Sequence, residues 1–374
     1  MKLVHKYTFS ILCILFCLAP GTPLSAQTAA AKAPAAKAAA TTAKSAAPKA
    51  AAKPKVPVEP AIIWRGDRAT ERAFMADLVK EYEAKKLGKV TLQPFSTISG
   101  IDAVHDGTAD LAGSARAAVP GRAEESDLVF HPIAWEALVP ITSPKNPVDN
   151  VTLKQLYNIY LGRLTSWKEL GGADEPINLY GVAAAQDGVE YSVRKLLYHK
   201  GDQSVSVPRL YLNTSRLEEG VTIDPHALGF TTDSAVYTNK GIKVLKVEGR
   251  TATPATIADG SYPLFSTLYL ATRSDGKNQA AVDKFIAFAT SDAGKAILRR
   301  RQLIPYSDAP ELLTKLDEQI AYIDAQTGAN QPRPVAAPQA TADFLQRTQP
   351  NSLEAQEAKA RAAADRAAKE KTEH

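Results

Sequence analysis

Few residues in this sequence are spaced for covalent chemistry. His105, His131, His199 and His226 stand far apart, and none lies in a Gly-x-Ser-x-Gly or His-Glu-x-x-His context. A nucleophile needs a base within hydrogen-bond reach, and no such grouping is legible. Cys13 and Cys17 are the only cysteines and both precede residue 20, so a zinc site built on cysteine is excluded. No glycine-rich loop ending in lysine and no metal-ligand spacing occurs. The expectation is therefore a protein that is not an enzyme and uses no cofactor. The basic run Arg299-Arg300-Arg301 ends a predicted helix, where it complements the helix dipole and solvent. A docking patch for a membrane partner is the sharper reading of that run.

The elements that position any site must come from the middle of the chain. Of 374 residues, 45% are hydrophobic, enough for a sizeable core, and the length allows about two domains of ordinary size. The net charge of +5 is modest and much of it lies toward the ends, so no nucleic-acid partner is expected. Residues 1–26 read as a signal peptide. Lys2, His5 and Lys6 precede the apolar run Phe9 to Ala19, and Leu24-Ser25-Ala26 suits cleavage before Gln27. Cys17 follows Ile14-Leu15-Phe16, a poor lipoprotein context. Residues 27–59 are rich in Ala, Lys and Pro, with no acidic residue from Thr28 to Val58. They read as a cationic, extended linker, or as an arm for an envelope polymer or membrane surface. Residues 328–374 read as a disordered or partly helical tail.

Between the tails the apolar pattern alternates between strand and helix. Ala61 to Trp64, Val90 to Leu92 and Leu111 to Ser114 read as strands, separated by a helix carrying Phe74, Leu78 and Tyr82 and a short helix from Ile98 to His105. That rhythm predicts a parallel sheet with crossover helices. Ala137 to Thr142, Ile177 to Tyr180 and Ala227 to Thr231 read as further strands, and Tyr262 to Ala271 as extended. Thr152 is placed to cap a helix over 153–160, and Glu190 to Tyr198 reads as another. Ala280 to Arg301 reads as the longest helix, with Val282, Phe285, Ile286, Ala289 and Ala293 on one face.

The order of these signals resembles the periplasmic phosphate-binding proteins, the PstS-like substrate-binding proteins of phosphate transporters. The resemblance rests on Phe95 to Ile101, on Asp106-Gly-Thr-Ala-Asp-Leu-Ala-Gly-Ser-Ala-Arg116, and on Pro147-Val148 with Ile159-Tyr160-Leu161-Gly162. Its most specific part is Ser166-Trp167-Lys168-Glu169-Leu170-Gly171-Gly172. Ala227-Leu228-Gly229-Phe230, Tyr262-Pro263-Leu264 and Ile304-Pro305-Tyr306 follow in the family's order. The resemblance implies an α/β, two-lobe periplasmic-binding-protein fold of type II, with the ligand cleft between lobes joined by two crossovers. Mapped here, lobe one is 60–137 plus 262–327 and lobe two is 138–261.

Such proteins hold an oxyanion with helix N-termini, hydroxyls and an arginine, groups suited to negative charge. Carried over residue by residue, the implied ligand-binding positions are Thr70, Thr97, Ser99, Gly100, Ser114 and Arg116, with Asp187 and Gly188 from the second lobe. Thr70 as a plain helix cap and Arg116 as an ordinary salt bridge are the bland alternatives. His105 lies beside the implied anion loop. The second-lobe loop departs from the family. Val182 stands where an arginine is usual, Asp187 for serine and Val189 for threonine. Each lost hydrogen bond to a charged ligand is worth about 1.5–3 kcal/mol, so three losses predict weak phosphate binding or another ligand. Asp187 is placed to accept a hydrogen bond from a protonated oxyanion, an amine or a hydroxyl.

The function implied is an exported, periplasmic or secreted solute-binding protein, monomeric, taking phosphate or a related oxyanion and serving a membrane ABC permease. The alternative is a cell-envelope interaction protein on the same fold with a lost or altered site.

Overall fold

The apolar residues Ile62 and Trp64 open the first strand, and the chain folds around them. In the computed structural model, residues 61–328 are described, all within the compact unit Pro57–His374. The readings made for residues 1–60, and for the tail beyond Gly328, fall outside the described residues. Strand β1 (Ile62–Asp67) runs into α1 (Arg68–Thr70), a wide π turn (Glu71–Met75) and α2 (Ala76–Ala84). Then come β2 (Val90–Phe95), α3 (Thr97–His105) and β3 (Leu111–Ser114). β1 pairs in parallel with both β2 and β3, as the alternating rhythm predicts.

β4 (Leu128–Thr142) is the longest strand among the described residues, at 15 residues. The strand read at Ala137 thus begins nine residues earlier. Pro132 hides this start: it has no N–H to donate, and the register with its partner slips between Leu268 and Tyr269, opposite it. Past β4 lie β5 (Asn150–Val151), α4 (Leu153–Tyr160), β6 (Asn178–Val182) and α5 (Gly188–Tyr198). β7 (Arg209–Tyr211), α6 (Thr214–Ile223), β8 (Ala227–Thr232) and α7 (Asp233–Val236) follow. The chain then makes β9 (Lys243–Val244), β10 (Lys246–Val247), α8 (Pro254–Ala258) and β11 (Phe265–Arg273).

The sheet order is β2-β1-β3-β11-β4-β8-β6-β7. It is mixed rather than parallel, because β11 lies antiparallel to β3 and β4, and β4 antiparallel to β8. β4 changes partner partway along: residues up to Ala137 pair with β11, and Leu138 to Thr142 pair with β8. The returning chain lies alongside this switch, with the Leu138 N–H donating to Leu264 O at 2.8 Å and the Tyr262 hydroxyl to Leu138 O at 2.9 Å.

The stretch 280–301 is two helices, α9 (Gln279–Thr290) and α10 (Asp292–Arg300). Ser291 is extended between them and its hydroxyl caps α10 at the Gly294 N–H. The break turns the apolar face, so Val282, Phe285 and Ala289 are buried while Ala293 is exposed. The chain ends through β12 (Ile304–Pro305) and α11 (Leu316–Thr327), which packs on α4 and α5.

The motif around Trp167 works as a structural lock. Ser166 caps a short turn over Trp167–Leu170, Gly171 closes it at φ 82°, and the buried Trp167 ring donates to His226 O at 2.8 Å. Thr152 forms a capping box with Gln155 at the start of α4, as its position predicts. Among the described residues, no helix is long and apolar enough to cross a membrane.

Candidate functional site

Three helix starts meet at one buried point: those following β1, β2 and β6. Asp67 ends β1 and caps the first helix, its Oδ1 accepting the Thr70 N–H at 2.6 Å and its Oδ2 the Thr70 hydroxyl at 2.7 Å. Asp67 Oδ2 also accepts the Thr97 hydroxyl at 3.0 Å. Thr97 is the first residue of α3, and its own N–H donates to Asp187 Oδ1 at 2.6 Å. The Gly188 N–H, first in α5, donates in turn to Thr97 Oγ1 at 3.1 Å. Thr97 therefore ties two carboxylates and two helix starts together.

The approach is close enough to need glycine at two positions. A Cβ on Gly188 would lie 2.6 Å from Thr97 Oγ1 and 2.9 Å from the Ala115 Cβ. A Cβ on Gly100 would lie 2.7 Å from Arg65 O, so this glycine lets α3 settle onto β1. Ser99 is committed elsewhere: its hydroxyl completes the capping box of α3 with Ser96. Ser114 donates its hydroxyl to Arg116 O at 2.7 Å and accepts the Arg116 N–H at 3.2 Å.

Arg116 is buried and its fork is taken. Its Nη1 and Nη2 meet Glu125 Oε2 and Oε1 at 3.0 and 2.6 Å, and its Nε donates to Gln186 O at 2.6 Å. The salt bridge is thus formed within the chain, and the same side chain reaches across to the loop before α5. Ser192 of α5 likewise donates to Ala115 O at 2.8 Å. Arg72 pairs with the buried Glu218 of α6 at 2.7 Å.

Charge at this point is unevenly answered. At Glu125 burial opposes ionisation, but Arg116, the Val119 N–H and Arg122 outweigh it and hold its pKa below the ordinary value. At Asp187 burial and then the nearby Asp67 push the pKa up to about 6, against the hydrogen bond from the Thr97 N–H. Asp67 is also raised by burial, against its bonds to Thr70 and Thr97. A further buried acid, Glu136, lies beside the partner switch of β4. It accepts the Ser234 hydroxyl and the Ala137 N–H, and burial pushes its pKa to about 8, with Asp233 adding to the rise.

Of the eight positions carried over from the resemblance, Thr70, Thr97, Asp187 and Gly188 come together around Asp67 and Thr97. Ser114 and Arg116 lie alongside, turned to each other and to Glu125, while Ser99 and Gly100 serve α3 itself. Val182 and Val189 are buried in the apolar core. His105 pairs with Asp127 at 3.0 Å. Arg299 pairs with Asp308, and Arg301 lies over the Tyr237 ring. Sequence reasoning missed Asp67 and Glu125 as site residues. Asp67 carried a signal, an aspartate three residues before a threonine at a helix start; Glu125 carried none.

A separate cleft of about 560 Å³ is lined by Asp233, Tyr237, Asn239, Lys246, Thr253 and Gln302, none of which belongs to this cluster.

The helix starts, the two strand sets joined by β4 and the cluster between them define the class. The chain belongs to the family described as the PBP superfamily domain, whose model matches residues 28–293. Its relatives include the phosphate-binding protein PstS of Borreliella burgdorferi, 25% identical over 251 residues, covering 64% of this chain and 88% of that protein. PstS of Bacillus subtilis is 22% identical over 245 residues, covering 65% and 80%. Among solved structures, an ABC-type phosphate transport receptor from Vibrio cholerae is 28% identical, with TM-score 0.51 over 65% of this chain and 99% of that one. A substrate-binding protein with bound phosphate from Clostridium perfringens shares the fold at 24% identity and TM-score 0.57, over 66% and 99% of the two chains. The fold is thus the two-lobe periplasmic-binding-protein fold, and the family resemblance is PstS-like.

Proposed function

We propose that this protein is an exported solute-binding protein that takes phosphate or a related oxyanion between its lobes and works by lobe closure, without covalent chemistry. Lobe one comprises 60–137 with 262–327 and lobe two 138–261, a division supported by the partner switch of β4 at Ala137 and Leu138. The observation that carries the reading is the convergence of the Thr97 and Gly188 amides with the Thr70 and Thr97 hydroxyls on one buried point where negative charge is already seated. Helix-terminal amides suit an anion, and here those donors are met from within, by Asp187, Asp67 and Thr97 Oγ1. The names of the relatives support phosphate as the first ligand to try. A membrane ABC permease is the partner this reading implies, and the working unit is a monomer.

The ligand affinity expected is weak. Arg116 is neutralised by Glu125, and Asp67 and Asp187 oppose a fully ionised anion. Thermal unfolding of the full chain with millimolar phosphate, sulfate and a small oxyanion panel tests the reading. Ligand at a hundred times its Kd adds about 2.7 kcal/mol of stability, so a clear rise in Tm with at least one oxyanion is expected. No shift with any of them overturns the reading in favour of an envelope-interaction protein on the same fold.

A further inference from the structure

We propose that Asp187 is a tethered occupant of the interlobe site, its carboxylate standing at the α3 N-terminus where a ligand oxygen would stand and clasping the lobes without ligand. The proposal rests on the anion reading above and states how that same site is regulated. An aspartate at a helix N-cap ordinarily accepts an N–H of its own helix. Asp187 is the N-cap of α5, yet its side chain caps nothing in α5. It reaches instead to the Thr97 N–H, 90 residues away in sequence. The first amide of α5, that of Gly188, is met by Thr97 Oγ1. Each helix start is therefore satisfied by the other across the cleft. Those are the donors an incoming oxyanion needs.

The occupant is built in rather than incidental. Asp187 is 2% exposed, and the glycine after it is required for the approach to Thr97 and Ala115. Among the described residues, the nearby arginines are already paired. Arg116 is taken by Glu125, Arg72 by Glu218, and Arg194 of the same helix by Glu190. Asp67, facing from β1, adds negative charge through Thr97. A phosphate thus enters only as Asp187 leaves, so ligand and clasp compete.

The test compares Asp187→Ser with Asp187→Asn in the full chain. Serine caps its own helix well but is too short for the cross-lobe bond, whereas asparagine keeps an acceptor of the same reach. Amide hydrogen exchange without ligand reads the clasp at Thr97 and Gly188, and calorimetric titration of inorganic phosphate reads the competition. In Asp187→Ser both amides exchange at least tenfold faster and phosphate binds at least tenfold more tightly. Asp187→Asn leaves exchange near that of the wild type. Equal, measurable phosphate affinity in wild type and Asp187→Ser overturns the proposal, as does unchanged exchange in Asp187→Ser. If exchange accelerates and neither phosphate nor sulfate binds either protein, the clasp stands and the anion reading falls.

Discussion

Glu125 and Asp187 are both buried carboxylates, at 4% and 2% exposure, and both lie beside the loop that carries Arg116. Their surroundings are opposite. Glu125 receives two arginines and a backbone amide, and its charged form is favoured. Asp187 receives the Thr97 amide but no cation, and its charged form is disfavoured. The lesson is where the chain has placed its positive charge. Arg116 is satisfied by Glu125, nine residues along the chain. Asp187 is left with the Thr97 amide and no counterion. Under the proposed anion reading, a ligand enters here only by displacing Asp187.

Breaking the paired side has the largest expected effect. Glu125→Ala leaves Arg116 buried and unpaired, at a cost of about 3–5 kcal/mol, visible as a lower urea midpoint at pH 7. The pair is 1% exposed on both sides, so solvent cannot compensate.

The unpaired side is sharpened by pH. The folded pKa of Asp187 is raised to about 6, above its unfolded value near 3.8, so the folded state binds the proton more tightly. Its ionisation therefore costs stability above pH 6. That cost is relieved as pH falls from about 6 to about 4, a gain of roughly 3 kcal/mol at 1.36 kcal/mol per unit. Asp67 acts in the same direction, and Glu125, with its lowered pKa, in the opposite one. The difference between wild type and Asp187→Asn, measured by denaturation at pH 4, 6 and 8, isolates the Asp187 contribution. Asp187→Asn is expected to be the more stable protein at pH 8 and to lose that advantage at pH 4.

Thr97→Val tests the hub with a smaller change. It removes the hydroxyl that serves Asp67 and the Gly188 N–H, leaving buried polar groups unpaired. A loss of about 1–3 kcal/mol is expected in thermal or urea unfolding. The smallest effect belongs to the exposed pair Lys168 and Asp174, at 67% and 72% exposure. Lys168→Ala is expected to leave the urea midpoint unchanged.

Much of the frame was legible because it is local. The cap at Thr152, the strands at 62, 90, 111 and 227, and the helix through Glu190 to Tyr198 announce themselves by periodicity or by a capping residue. What escaped depends on long-range pairing. The first half of β4 escaped notice, with Pro132 inside it where the register with β11 slips. Ser291 concealed a helix break that propensity alone does not require. At the site, the residue types drew attention to Thr97, Arg116 and Asp187, but not to their partners. Arg116 and Glu125 are nine residues apart across an irregular loop, a spacing with no helical or strand period. Asp187 was visible as a change of charge. Where its side chain points is decided by the meeting of two helix starts 90 residues apart in sequence, which no local pattern encodes.

The central claim is that the anion site is built and already occupied from within. Calorimetric titration of inorganic phosphate into the wild-type protein at pH 7 tests it most directly. The account predicts saturable binding of one phosphate per chain with a Kd well above about 1 µM, because the ligand must displace Asp187 without a free arginine to attract it. A sub-micromolar Kd contradicts it, since phosphate would then be held tightly despite the resident carboxylate.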